Sequence, residues 1–337
     1  MTHEFKKIIS AFLSANKNGI KSVLVTVVAL EGSSYRKPGV RMLLLENEQM
    51  VGAVSGGCVE KEIIRQSKSV FETSIPKIMT YDGRYRLGCE GVLYILIEPI
   101  NLSTLFLETF SKAIQNRELF KISSYYKKEE AIDSSFGTKV QFQSKTIPIC
   151  LTHSINNEIN VLEQNMKPCF RLLIFGTEHD AVILSTLAAN MGWEVIVFAN
   201  PADEKKAEYF PGIFDFQLFT PDTFISKNID AQTAIVLMNH SYSKDLSFLK
   251  ALKNCEVAYI GILGPAARRE KILNELIENN LDIEDQFIEA IYGPSGLNIG
   301  SITPQEIAIS IIAEILTVIR KETPISLRNK INSISKS

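Results

Sequence analysis

Cysteine is scarce in this chain. Five in 337 residues, an odd number, cannot supply a disulfide framework, so a reducing, cytoplasmic setting is the expectation. Charge of one sign is not in excess either. Lys+Arg 36 against Asp+Glu 38 gives a formal net charge of −2, which argues against a nucleic-acid binder that relies on a general phosphate field. Long apolar runs are missing. The best, Val23–Leu30 and Ile307–Leu316, are short and interrupted, well below the roughly 18 residues of a membrane span. Neither nucleic acid nor a membrane is therefore an expected partner. Phe5, Ile8, Ile9, Phe12 and Leu13, after Glu4, Lys6 and Lys7, predict an amphipathic helix ending near Asn18-Gly19 rather than a secretory leader. No internal repeat is evident.

What is present is organised in two parts, as expected at roughly 150 residues per domain. The fold class is α/β. A β-rich α+β domain over 1–150 precedes a linker at 151–168 and a Rossmann-like, parallel doubly wound domain over 169–320, with a polar tail at 321–337. In the first part, Ser22–Leu30 is strongly β-branched and reads as a strand. Arg41–Leu45, Met50–Val54 and Val92–Glu98 read as further strands, and Val59–Val70 as a helix. In the second part, strands are expected at Arg171–Phe175, Glu194–Phe198, Ala234–Met238 and Val257–Ile260. Helices are expected at His179–Met191 and Lys244–Leu252, an alternation that specifies right-handed parallel crossovers. Thr303, Pro304 and Glu306 form a capping box for a last helix carrying Ile307, Ile311, Ile312 and Ile315.

Four constellations carry candidate chemistry. The first, Glu31-Gly32-Ser33-Ser34-Tyr35-Arg36-Lys37-Pro38-Gly39-Val40-Arg41, follows a strand. Its glycines, with the hydroxyls of Ser33 and Ser34 and the cations Arg36 and Arg41, suit an anion such as phosphate; the alternative is a turn with a solvated basic flank. The second pairs Ser55-Gly56-Gly57-Cys58 with Gly88-Cys89-Glu90-Gly91. Glycines beside a thiol let a ligand approach the backbone. Cys58 falls at a helix N-terminus, where the dipole favours thiolate, although a small buried thiol beside a turn is the plain alternative. No CxxC and no neighbouring histidine accompany them, so a structural zinc site is poorly supported. Cys150, Cys169 and Cys255 sit in apolar or linker sequence and are expected to be inert.

The third, Phe175-Gly176-Thr177-Glu178-His179-Asp180-Ala181, occupies the place of a dinucleotide fingerprint. Glu178 stands where the second glycine would meet the pyrophosphate, and Ala199-Asn200-Pro201 lacks the acid that would hold the ribose. NAD(P) in its usual pose is therefore disfavoured. His179 is either functional or a polar first-turn residue. The fourth comprises Met238-Asn239-His240-Ser241, Gly261–Arg269 and Gly293–Gly300, three loops expected after strands at the edge where doubly wound folds place ligands.

GSSYRKPGVRM, then VSGGCVE, then YD with LGCEG, resemble the N-terminal region of the XdhC/CoxI family. LLIFGTEHDA, AYIGILGPAARR and PSGLNIGSITPQEIAISIIAEIL are similar to that family's Rossmann-like domain. The likeness spans about 22–99 and 170–320. It implies an accessory role for xanthine and carbon monoxide dehydrogenases: binding the molybdenum cofactor, protecting it during sulfuration and inserting it into a xanthine-dehydrogenase-type hydroxylase. A cysteine desulfurase would be a further partner, and the protein a homodimer. On this reading the cofactor-binding set is Ser33, Ser34, Arg36, Arg41, Ser55, Gly56, Gly57, Cys58, Gly88, Cys89, Gly176, His179 and His240, with no catalytic residue. The thiols of Cys58 and Cys89 would face the molybdenum or its sulfur.

The chain departs from the family pattern at Glu90, at Thr177 and Glu178 (usually GAGH), at Asn239-His240-Ser241 (usually THD-like), at Ala199-Asn200-Pro201, and at Pro265 in place of a serine. The second domain's nucleotide-like site is thus the eroded one. Two other functions stay open: an NAD(P)-dependent oxidoreductase using the second domain, and a cofactor-free scaffold between sulfur donor and hydroxylase.

Overall fold

The computed structural model describes residues 1–32, 37–55, 57–83, 91–143, 145–151, 155–219, 229–239, 241–279 and 283–329, with Cys58 described in its backbone alone. The chain divides into two compact units, Met1–Pro168 and Cys169–Ser337.

The first unit is built around β1 (Ser22–Glu31), whose β-branched run is buried almost end to end because it is a central strand. With β2 (Arg41–Leu45), β3 (Met50–Gly52), β4 (Lys77–Asp82), β5 (Val92–Pro99) and β7 (Ala131–Ile132), it forms an antiparallel sheet of order β3-β2-β1-β5-β4-β7. Alternate residues of these strands face opposite sides. Val23, Val25, Val27, Met42, Leu44, Ile95 and Ile97 pack against Val59, Ile63 and Val70 of α2 (Cys58–Thr73). The opposite face presents Leu24 and Leu43 to α1 (Thr2–Lys17), α3 (Thr104–Gln115) and a second sheet. That sheet, of order β10-β6-β8-β9, comprises β6 (Phe120–Tyr126), β8 (Gly137–Phe142), β9 (Lys145–Pro148) and β10 (Asn160–Met166). Phe5, Phe106, Phe110, Phe120 and Phe142 meet between these elements, with ring centroids 5.6–6.4 Å apart.

The expected linker is corrected here. Within 151–168, β10 pairs with β6 over seven residues, from Asn160↔Tyr126 to Met166↔Phe120, so this segment completes a sheet of the first unit. Its pattern of exposed and half-buried residues lacks the apolar run that marks a strand from sequence.

The second unit is a parallel sheet of β11 (Arg171–Phe175), β12 (Glu194–Ala199), β13 (Asp215–Leu218), β14 (Thr233–Leu237), β15 (Tyr259–Ile262) and β16 (Ile291–Tyr292). The order β13-β12-β11-β14-β15-β16 is 3-2-1-4-5-6 in the unit's own count, that of the dinucleotide-binding doubly wound fold. The Rossmann-like class is therefore observed. One face is covered by α4 (His179–Asn190) and α8 (Pro304–Arg320), the other by α5 (Tyr242–Leu252) and α6 (Ala266–Asn279), with α7 (Asp285–Glu289) beside β16. The strand expected at Val257–Ile260 lies two residues later. The Gly261–Arg269 loop is correspondingly shorter: Gly261 is within β15, and Arg268 and Arg269 are in the first turn of α6. The α8 capping box is as anticipated, with Glu306 N donating to Thr303 Oγ1 at 3.3 Å and Thr303 N to Glu306 Oε2 at 2.9 Å.

Candidate functional site

In the first unit, strand register decides where the motif loops leave the sheet. Glu31, the last residue of β1, pairs with Val92, the first of β5, and Asp82, the last of β4, pairs with that same Val92. Met42 near the start of β2 pairs with Gly52 at the end of β3, and Thr26 with Arg41. The connection from β1 to β2, that from β3 to α2, and that from β4 to β5 therefore depart from one end of one sheet. These three connections contain the Gly-Ser-Ser, Ser-Gly-Gly-Cys and Gly-Cys-Glu-Gly motifs. Ser33, Ser34, Arg36, Gly56, Gly88 and Cys89 themselves, with the Cys58 side chain, lie outside the described residues.

The stems of these connections are fixed. Gly39 N donates to Val27 O at 2.8 Å and Val27 N to Val40 O at 3.0 Å, beside a register shift at Val27/Ala29. Gly83 N donates to Gly91 O at 3.0 Å and closes the base of the third connection. In the second, the buried Glu60 carboxylate accepts from Ser55 N at 2.6 Å and Gly57 N at 2.7 Å. Those two amides are thus satisfied within the protein and are not free to cradle an anion. Gly57, with φ +118, is the N-cap of α2 and adopts a conformation that disfavours a side chain. Glu60 also places a negative charge at the positive end of α2, offsetting the field that favours a thiolate at Cys58.

Arg41, expected among the phosphate ligands, turns inward. Its guanidinium is buried, donating to Gly39 O at 3.1 Å, to Ser124 Oγ at 3.4 Å and to Gln164 Oε1. Beyond Ser124, whose Oγ lies 2.9 Å from Thr138 Oγ1, Thr138 donates through N (2.8 Å) and Oγ1 (2.5 Å) to the Glu98 carboxylate. Burial raises the Glu98 carboxyl to about 7, opposed by the Thr138 hydrogen bonds and the attraction of Arg41. Burial likewise lowers the Arg41 guanidinium to about 10, opposed by Glu98. A polar chain thus crosses the layer between the two sheets. Sequence reasoning missed Glu60, Glu98, Ser124, Thr138 and Gln164; only the buried carboxylate inside the apolar β5 run signalled it.

In the second unit, Gly176 follows β11 with φ +126 and donates from N to Phe198 O at 3.0 Å. A Cβ there would lie 2.7 Å from Met238 O, so the turn requires glycine because the exit of β14 passes against it. Glu178 is the N-cap residue of α4 without a side-chain cap bond, and His179 begins the helix; both are exposed. His240 lies outside the described residues. Asn239 Nδ2 donates to Asp245 Oδ1 at 3.1 Å. Arg268 Nη2 donates to Asp245 Oδ2 at 2.6 Å and to Asn239 O at 2.8 Å. The fully buried Asp245 thereby ties the loop after β14 to α6. Tyr259 Oη and Gly296 N both donate to Glu314 Oε2, at 2.5 and 2.8 Å, tying the Gly293–Gly300 loop to α8. The edge expected to hold a ligand carries charged groups that hold one another.

Among the described residues, no group of three or more His, Cys, Asp or Glu side chains is placed to hold a metal ion. Among the described residues no helix is long and apolar enough to cross a membrane.

Comparison with known proteins gives a concordant result. The family model described as the XdhC Rossmann domain matches residues 172–315, and that described as the XdhC and CoxI family matches 15–82. The chain is 27% identical over 314 residues to a probable xanthine dehydrogenase subunit of Bacillus subtilis, covering 88% of this chain and 92% of that protein. It is 24% identical over 325 residues to the molybdenum cofactor insertion chaperone PaoD of Escherichia coli, covering 94% and 90%. A crystal structure described as a xanthine dehydrogenase from Bacillus halodurans superposes with a TM-score of 0.77 at 25% identity, over 94% of this chain and 97% of that one.

Proposed function

The chain belongs to the XdhC/CoxI family, and we propose that it binds the molybdenum cofactor, protects it during maturation and inserts it into a xanthine-dehydrogenase-type hydroxylase. It acts as an accessory factor rather than an enzyme. The observation that carries this reading is the departure of three connections, with their Gly/Ser/Arg, Gly/Cys and Gly/Cys/Glu motifs, from one end of one sheet. The chaperone function of the Escherichia coli relative supports it.

Each motif has a task in this reading. The cofactor's terminal phosphate suits the hydroxyls of Ser33 and Ser34 and the guanidinium of Arg36, a charge-assisted donor set. Soft thiolates from Cys58 and Cys89 suit sulfur-ligated molybdenum. Glu60 keeps the Ser55–Gly57 turn in shape, so that turn contributes position rather than backbone donors. Arg41 leaves the ligand set, because its donors point into the domain. Gly176, His179 and His240 are the candidate ligand residues of the second unit. The finer parts of the reading are a cytoplasmic homodimer and a cysteine desulfurase as sulfur source.

The test is to purify the full chain from a molybdate-replete host and quantify its pterin, alone and as Arg36→Ala and Cys58→Ala. Bound pterin that falls at least about tenfold in Arg36→Ala, the loss of one charge-assisted contact, supports the reading, as does loss of hydroxylase activation in Cys58→Ala. Pterin-free protein whose variants still activate the hydroxylase identifies a scaffold instead. Tight NAD(P) binding with no pterin identifies the oxidoreductase.

A further inference from the structure

The buried polar chain between the two sheets of the first unit has a feature that stability does not account for. Among the described residues, Arg41 Nε and Thr26 Oγ1, on cross-strand neighbours, are buried without a hydrogen-bond partner. A buried ion network with unmatched members is a poor source of stability, since desolvation offsets the attraction. It does achieve a fixed position. Gly39 is the residue at which the β1–β2 connection rejoins the sheet. Its N is held by Val27 O, and its O accepts from Arg41 Nη1 at 3.1 Å. Its φ of +98 suits glycine, and any Cβ there would overlap the Gln164 amide, which also meets Arg41. Gln164 stands on the edge strand β10, and Arg41 is held from behind by Ser124, Thr138 and Glu98 on β6, β8 and β5.

We propose that Arg41 and Gln164 are positioning residues for the cofactor loop, clamping Gly39 so that the β1–β2 connection rejoins the sheet at one fixed point. This rests on the reading of that loop as a cofactor site. The clamp couples the second sheet to the loop: β10 reaches Arg41 across 123 residues of chain. Neither residue touches the cofactor in this arrangement. Both act through the backbone of Gly39.

The test uses the full chain and four variants: Gln164→Leu, Gln164→Glu, Arg41→Lys and Arg36→Ala. Retention of the molybdenum cofactor is read as pterin fluorescence after oxidation, and amide exchange is read at Gly39 and Val40. Gln164 is half-buried on an edge strand, so Gln164→Leu folds where an Arg41 truncation could fail. Gln164→Leu is expected to speed exchange at Gly39 and weaken cofactor retention about tenfold each, the scale of one hydrogen bond to a charged group. Gln164→Glu, which keeps an acceptor for Arg41, is expected to restore both, a rescue that a merely structural role does not predict. Arg41→Lys is expected to behave like Gln164→Leu, because one ammonium nitrogen cannot take the place of Nη1 on Gly39 O and Gln164 and of Nη2 on Ser124 together. Cofactor loss in Arg36→Ala but not in Gln164→Leu overturns the inference and leaves the loop reading in place. Loss in neither overturns the loop reading, and the inference with it.

Discussion

The two units place ionisable groups in opposite ways. In the second, the middle of the sheet is apolar and the charged side chains lie at its ends: Arg171 pairs with Glu194 where β11 and β12 begin, and beyond the C-terminal edge Asp245 meets Arg268 and Glu314 meets Tyr259 and Gly296. In the first, Arg41 and Glu98 are sunk between two sheets, and the candidate ligand groups sit on loops outside them. In the second unit the dinucleotide-type strand order comes with Gly176 at the first turn, Glu178 as the N-cap residue of α4, and the Asp245–Arg268 pair after β14. The first unit is antiparallel, and its sheet register makes the three connections that contain the glycine motifs depart from one end.

Removing a partner from each charged group breaks this contrast unequally. Arg41→Ala leaves Gly39 O, Ser124 Oγ and Gln164 Oε1 without their donor and removes the buried cation that attracts Glu98, and should destabilise the first unit by about 3–5 kcal/mol in urea unfolding, with the second unit's amide exchange unchanged. The Glu98 carboxyl gives a pH signature. Its folded value is raised from 4.5 to about 7, chiefly by burial. Its favourable contribution is complete below pH 4.5 and is lost as the pH rises through 7, because the unfolded chain releases the proton first. From the shift of 4.5 to about 7, the stability of the first unit should fall by about 3 kcal/mol across that window, and Glu98→Gln should flatten the slope.

Asp245→Ala is expected to cost the second unit about 2 kcal/mol, less than Arg41→Ala because Arg268 can turn to solvent. It should also loosen the loop after β14, read as faster exchange at Asn239. Thr303→Ala sharpens the comparison from below. It removes only the hydroxyl acceptor of the α8 cap and should cost about 1 kcal/mol in thermal melting, with cofactor retention untouched.

Elements with one dominant pattern were legible from sequence. The β-branched run of β1, the amphipathic stripe of α1 and the capping box of α8 need no partner to declare themselves. The segment holding β6 to β10 did not, because its strands mix polar residues such as Ser123, Ser124, Thr138 and Gln141 with the apolar ones and draw their order from pairing with one another. The α3 helix carried a usable signal, Ser103 as N-cap with Phe106 and Phe110 one turn apart. For the site, the motif loops were visible as glycine, cysteine and arginine. The inward turn of Arg41 was not, since its partners Ser124 and Gln164 lie 83 and 123 residues away. The Glu60 carboxylate on Ser55 and Gly57 was local, an acid three residues after the Gly57 N-cap that reaches back to its amide.

The most direct measurement is amide exchange of the full chain with and without the molybdenum cofactor. Protection confined to the first unit, at 31–40, 54–59 and 82–92, is the predicted result. Protection confined to 176–180 and 238–242 would contradict the account, because it would place the cofactor on the Rossmann-like unit.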